Sequence, residues 1–115
     1  MMRAIERIAV ECHYTQDDVG SDDLDFVLDG RHIGRFEIKE REILTGTASH
    51  ALFGDGTWVI QPGSRLTVYE VDLIDGNDVI LDHTFGDDVN EGWINRVSQA
   101  GMYDFQIRIG EIPEA

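Results

Sequence analysis

Positive charge is what this chain has least of. Lysine occurs once, at Lys39, and together with eight arginines it faces 14 Asp and nine Glu, a formal net charge of −14 over 115 residues. Affinity for nucleic acid rests on Lys and Arg displacing counterions from phosphates, so nucleic acid is excluded as a partner. Docking to anionic lipid is disfavoured for the same reason unless calcium bridges the two negative surfaces. Cysteine is nearly absent too: Cys12 stands alone, which excludes an intrachain disulfide and a thiolate metal centre. The first residues, Met1 to Arg7, carry no apolar signal-peptide core, and no apolar run approaches the length of a membrane span. The expectation is a cytoplasmic protein, or one exported without a signal peptide.

What the chain does have is alternation. With 42% hydrophobic residues it holds enough apolar material for one core, and residues 1–115 read as a single domain. Ile8, Val10, Cys12 and Tyr14 fall on one face of an extended segment, with Ala9, Glu11 and His13 on the other. Leu24, Phe26 and Leu28 repeat the pattern, and Asp29-Gly30 is a type I′ hairpin signal that returns the chain into Ile33 to Ile38, where Gly34 suggests a bulge. Two short strands are expected at Ile43-Leu44 and Trp58 to Ile60, amid turn chemistry at Thr45 to Thr47, Gly54 to Gly56 and Pro62-Gly63. Arg65 to Val71 and Val79 to Phe85 read as further strands. Val89, Trp93, Ile94 and Val97 recur at helical spacing, with Asp87 or Asp88 as N-cap and Gly101 past the end, so one short helix or an irregular excursion is expected there. Tyr103, Phe105, Ile107 and Ile109 form the clearest strand. About seven or eight short strands separated by frequent turns describe an all-β antiparallel sandwich.

Two Asp-rich segments interrupt this pattern: Thr15 to Asp23, with Asp17, Asp18 and Asp22, and Glu70 to Asp78, with Asp72 between them. Neither contains Lys or Arg. If the fold brings them together, their carboxylates repel one another unless a hard cation sits among them. A donor set made only of oxygen favours calcium over zinc or iron. Gly20 and Gly76 let each loop curl inward, and Glu70 and Asp72, two apart, share one side of an extended backbone.

The residues also resemble a family. Gly20-Ser21-Asp22 followed by Phe26-Val27, and Val68-Tyr69-Glu70-Val71-Asp72 followed by Asn77-Asp78-Val79-Ile80, are similar to the calcium-binding loop segments of C2 domains, and in particular of bacterial C2-like modules. The resemblance covers about half the chain. It implies a C2-like β-sandwich with Asp17 or Asp18, Asp22, Glu70, Asp72 and Asp78 as calcium ligands, and it departs from the family at Asp23-Leu24, where Pro-Tyr is usual, at Glu70 in place of Asp, and at Leu81 in place of Gly. On this reading the chain is a non-enzymatic calcium-binding interaction module. Its expected partner is a protein, with a membrane reached only through calcium and a homo-oligomer left open. The alternative is a metal-independent interaction or self-assembly domain.

Other chemistry is weaker in the pattern. Cys12 and His13 point to opposite faces of a strand and do not pair as nucleophile and base, and Cys12 falls on the apolar side. His32, His50 and His83 lack a close metal spacing, and no segment has EF-hand spacing. Asp82, Asp87 and Asp88 offer carboxylates for acid–base work but sit in a polar turn context. Trp58, Trp93, Tyr69 and Tyr103 read as core or covering aromatics.

Overall fold

The computed structural model describes residues 2–15, 21–46, 58–71, 78–98 and 101–112. Within them the chain forms nine strands in two antiparallel sheets. The strands are β1 (Met2–Cys12), β2 (Ser21–Leu28), β3 (Arg31–Lys39), β4 (Ile43–Gly46), β5 (Trp58–Ile60), β6 (Arg65–Glu70), β7 (Asp78–Thr84), β8 (Trp93–Val97) and β9 (Tyr103–Ile112). One sheet runs β4-β1-β9-β8, with β5 pairing the other half of the β1 edge that β4 occupies; the second runs β3-β2-β6-β7. The all-β antiparallel sandwich expected from alternation is what forms.

The reason is the period-two pattern. Ile8, Val10 and Cys12 from β1, Leu24, Phe26 and Leu28 from β2, Leu66 and Val68 from β6, and Tyr103, Phe105, Ile107 and Ile109 from β9 all lie buried in the space between the sheets. A sheet with one apolar face must cover it, and a second such sheet does so. Phe26 stacks on Phe36 at 5.3 Å within its own sheet and meets the edge of Phe105, across the sandwich, at 6.3 Å. Trp58 fills the core beside β1.

Three register shifts reconcile sequence parity with burial, one each in β1, β3 and β7, the last at Ile80, where adjacent Ile80 and Leu81 are both buried. Ile5 and Ile8 are both buried although three residues apart, and β1 achieves this with a register shift between Ile5 and Arg7 that leaves Glu6 unmatched. The carboxylate of Glu6 then reaches Arg108 at 3.2 Å. The second shift lies in β3, where Phe26 faces Gly34 and Val27 faces His32, so the bulge falls at Ile33, beside the glycine that suggested it.

The turns follow their residues. Asp29 (φ 49°) and Gly30 (φ 80°) both occupy the left-handed region a type I′ turn requires. Asp29 also fixes the hairpin to β6, accepting from the Arg65 N–H at 2.8 Å through Oδ1 and donating its own N–H to the Arg65 carbonyl. Gln61-Pro62-Gly63-Ser64 closes with Ser64 N–H donating to the Gln61 carbonyl at 2.9 Å and Gly63 at φ 100°, a type II turn.

Three expectations are corrected. The segment from Val89 to Val97 is not a helix: Asp87–Asn90 makes a single 3₁₀ turn, Gly92 (φ 82°) redirects the chain, and Trp93–Val97 pairs with β9 as an edge strand. Only Val89 and Ile94 of the four apolar residues are buried, whereas Val97 is 62% exposed. The cap differs accordingly, with Gly86 preceding the turn and donating its N–H to Asp88 Oδ1 at 2.8 Å, and Gly101 serving the β8–β9 turn. Tyr14 lies beyond the end of β1 and is 65% exposed, not inward. Thr45 and Gly46 belong to β4, whereas Gly54 to Gly56 lie outside the described residues.

Candidate functional site: the acidic end of the sandwich

Both Asp-rich segments leave the same end of the β3-β2-β6-β7 sheet. The first ends where β2 begins, at Ser21. The second begins where β6 ends, at Glu70, and closes where β7 begins, at Asp78. Pairing of β2 with β6 places Leu24 opposite Glu70, and the ladder continues one step further as Val71 N–H donates to the Asp23 carbonyl at 2.9 Å. The two segments are therefore joined side by side at their roots.

Of the six residues expected to ligate calcium, Asp17, Asp18 and Asp72 lie outside the described residues. The other three stand at this end, in different surroundings. Asp78 is exposed and directly opposite Glu70. Glu70 is only 6% exposed, because it shares the core-facing parity of Leu66 and Val68. Asp22 is 2% exposed for the same reason, following the parity of Leu24 and Phe26, and its Oδ2 accepts a hydrogen bond from the hydroxyl of Tyr103 on β9. Asp22 therefore ties one sheet to the other. Burial first, and the Asp22 carboxylate second, push the Tyr103 hydroxyl well above the ordinary tyrosine range. Cys12, opposite Tyr103 on β1, is fully buried, and burial raises its thiol too, against a smaller opposing pull from Tyr103. It is a core thiol, in keeping with the face it occupies.

The same end carries a second group on the outer surface of the other sheet. Glu11 on β1 faces Asp104 on β9, and His13, two residues on, lies on the same side. His13 Nε2 is 2.7 Å from Asp104 Oδ2, a contact that raises the imidazole above its usual range. Among the described residues, Glu11, His13 and Asp104 are the group of three metal-capable side chains whose ligand atoms all lie within 4.8 Å of one another. Asp22, Glu70 and Asp78 do not make such a trio by themselves: on a lattice of strands about 4.8 Å apart, Asp22 and Asp78 lie on opposite sides of Glu70.

Of the carboxylates considered for acid–base work, Asp82 and Asp88 have arginine partners. Asp82 is bidentate with Arg65, at 2.7 and 2.5 Å, and that hydrogen bonding holds its carboxyl below the usual range. Asp88 accepts from His83 Nε2 at 2.8 Å and lies 3.4 Å from Arg96, while the ring of His83 meets Phe85 edge-on at 4.7 Å. This set fixes the 3₁₀ turn to β7 and β8. Of the aromatics, Trp58 and Tyr103 are core, and Trp93 is 47% exposed beneath the guanidinium of Arg108, 5.5 Å from its ring centre.

Among the described residues, no helix is long and apolar enough to cross a membrane. Comparison with protein-family models, curated proteins and solved structures returns no match.

Proposed function

We propose that this chain is a non-enzymatic calcium-binding module of C2-like type, which holds the ion at the acidic end of the sandwich and presents the ordered loops to a protein partner. One observation carries the reading: the pairing of β2 with β6 brings the roots of both Asp-rich segments together, although they are far apart in sequence. The register of β6 with β7 supports it too, because it sets the Glu70 and Asp78 carboxylates directly opposite each other at the root of the second segment. The donor set is all oxygen, the chemistry calcium prefers. Glu70 and Asp78, with Asp17, Asp18 and Asp72 from the loops, would supply ligands. Asp22, engaged with Tyr103, would supply at most its remaining lone pairs. Bound calcium would neutralise repelling carboxylates and set the loop conformation.

The exposed Trp93 and Val97 on edge strand β8 favour a second reading, a metal-independent interaction or self-assembly domain. Thermal melting in millimolar calcium and in chelator separates the two. Binding to the native state alone stabilises by mass action, about 2.7 kcal/mol at a hundred times Kd. The shift should vanish in Asp72→Asn/Asp78→Asn, a pair chosen to leave the Asp22 contact intact. Superimposable melts of the wild type would overturn the calcium reading. A single monomer species in sedimentation at high concentration would count against self-assembly.

A further inference from the structure

The Glu11, His13 and Asp104 group differs from the acidic loops in both construction and donor chemistry. Its three residues sit on strands or at a strand end, not in loops. Glu11 and Asp104 are opposed in the longest ladder of the molecule, and His13 extends that ladder by donating its N–H to the Met102 carbonyl at 2.7 Å. Backbone pairing thus fixes all three Cβ positions before any ligand arrives, so that only side-chain torsions remain to adjust on binding. His13 and Asp104 keep 38% and 42% of their side chains exposed, so an ion reaches them without any opening of the fold. Beside them lies a hollow lined by Glu11, Cys12, His13, Tyr14, Glu40 and Arg41.

An imidazole with two carboxylates suits a borderline divalent metal, whereas calcium seeks oxygen alone. Metal–ligand bonds of about 2.0–2.2 Å put tetrahedral ligand atoms about 3.4 Å apart. The His13–Asp104 contact is already shorter than this, and the 4.8 Å limit on the remaining separations is within reach of a torsional adjustment at Glu11. Three protein ligands leave a fourth position for water or for a side chain of another molecule.

We infer that Glu11, His13 and Asp104 form a three-ligand site for a divalent transition metal, with zinc as the reference ion, separate from the loop-end carboxylates. The test is calorimetric titration of the full chain with zinc in buffer holding millimolar calcium, which saturates oxygen-only sites. One equivalent should bind. His13→Gln and Asp104→Asn should each weaken binding at least about tenfold, while His32→Gln, which removes a more exposed histidine beside Asp25, should leave it unchanged. Zinc binding by His13→Gln with wild-type affinity, or loss of the wild-type signal in calcium, would overturn the assignment. Should a variant fail to fold, ring nitrogen resonances of the wild type decide: zinc must shift those of His13, and shifts confined to the other histidines would refute the site.

Discussion

Replacing Tyr103 with Phe deletes one oxygen from the core and should cost far more than its size suggests. The hydroxyl donates to Asp22, a carboxylate only 2% exposed, and this bond spans the two sheets. A hydrogen bond to a charged group contributes about 1.5–3 kcal/mol, and removing the donor leaves a buried charge with one fewer partner. For a domain of this length each kcal/mol lowers Tm by roughly 4 °C, so Tyr103→Phe should melt roughly 6–12 °C below wild type. Alkaline titration adds a second signature. Because the folded Tyr103 hydroxyl titrates well above the unfolded value of about 10, the native state keeps a proton that the unfolded chain loses. Its contribution is therefore fully present below pH 10 and declines as pH rises beyond it, by up to about 1.36 kcal/mol per pH unit. Denaturant titrations between pH 8 and 11 should show this slope in the wild type and not in the Tyr103→Phe variant. Cys12→Ala in both proteins removes the neighbouring buried acid, whose own titration falls in the same window. A double-mutant cycle with Asp22→Asn should return a coupling of about 0.5–3 kcal/mol. Equal melting temperatures and parallel pH profiles would refute the idea that Asp22 and Tyr103 brace the sheets.

Cys12 is fully buried and its thiol is raised by that burial, so a thiol reagent should react with native protein only at the rate of structural opening; fast labelling without denaturant would place the thiol at the surface instead. Gly63 sits at φ 100° with open space where a Cβ would project, so Gly63→Ala isolates backbone strain and should cost about 1 kcal/mol by chemical denaturation. An unchanged midpoint would mean the Pro62-Gly63 turn relaxes without loss.

Much of the sandwich is legible because its strands are half-buried. Leu24, Phe26 and Leu28, and Tyr103 through Ile109, alternate cleanly since one face meets the core and the other meets water. Strand β8 is hidden by the opposite circumstance. Its outward positions hold Trp93 and Val97 on either side of Asn95, and Arg96 follows Ile94 on the inner parity, so the alternation is scrambled and the apolar spacing with Val89 imitates a helix. The 3₁₀ turn and Gly92 decide the matter locally, and pairing with β9 decides it globally.

The candidate sites are legible to different depths, and parity explains why. Counting back from Leu24 puts Asp22 on the core face, and counting forward from Val68 does the same for Glu70, so their burial follows from alternation once each strand is extended to its end. Turn chemistry argues instead for loops, and on that argument the carboxylates face solvent. The Glu11, His13 and Asp104 group has no comparable local signal. Glu11-x-His13 is an ordinary strand alternation, and Asp104 joins it only because β9 returns beside β1 from the far end of the chain. Spacing rules find metal sites whose ligands share a helix or a loop, where separation in sequence fixes separation in space. Across a ladder the separation is set by register, and register is settled by burial of the whole apolar face. Here Ile8, Val10 and Cys12 opposite Ile107, Phe105 and Tyr103 lock it, and the polar residues between them are brought together as a consequence. The core of this sandwich thus dictates which outward-facing side chains meet, and its surface chemistry follows from its buried pairs.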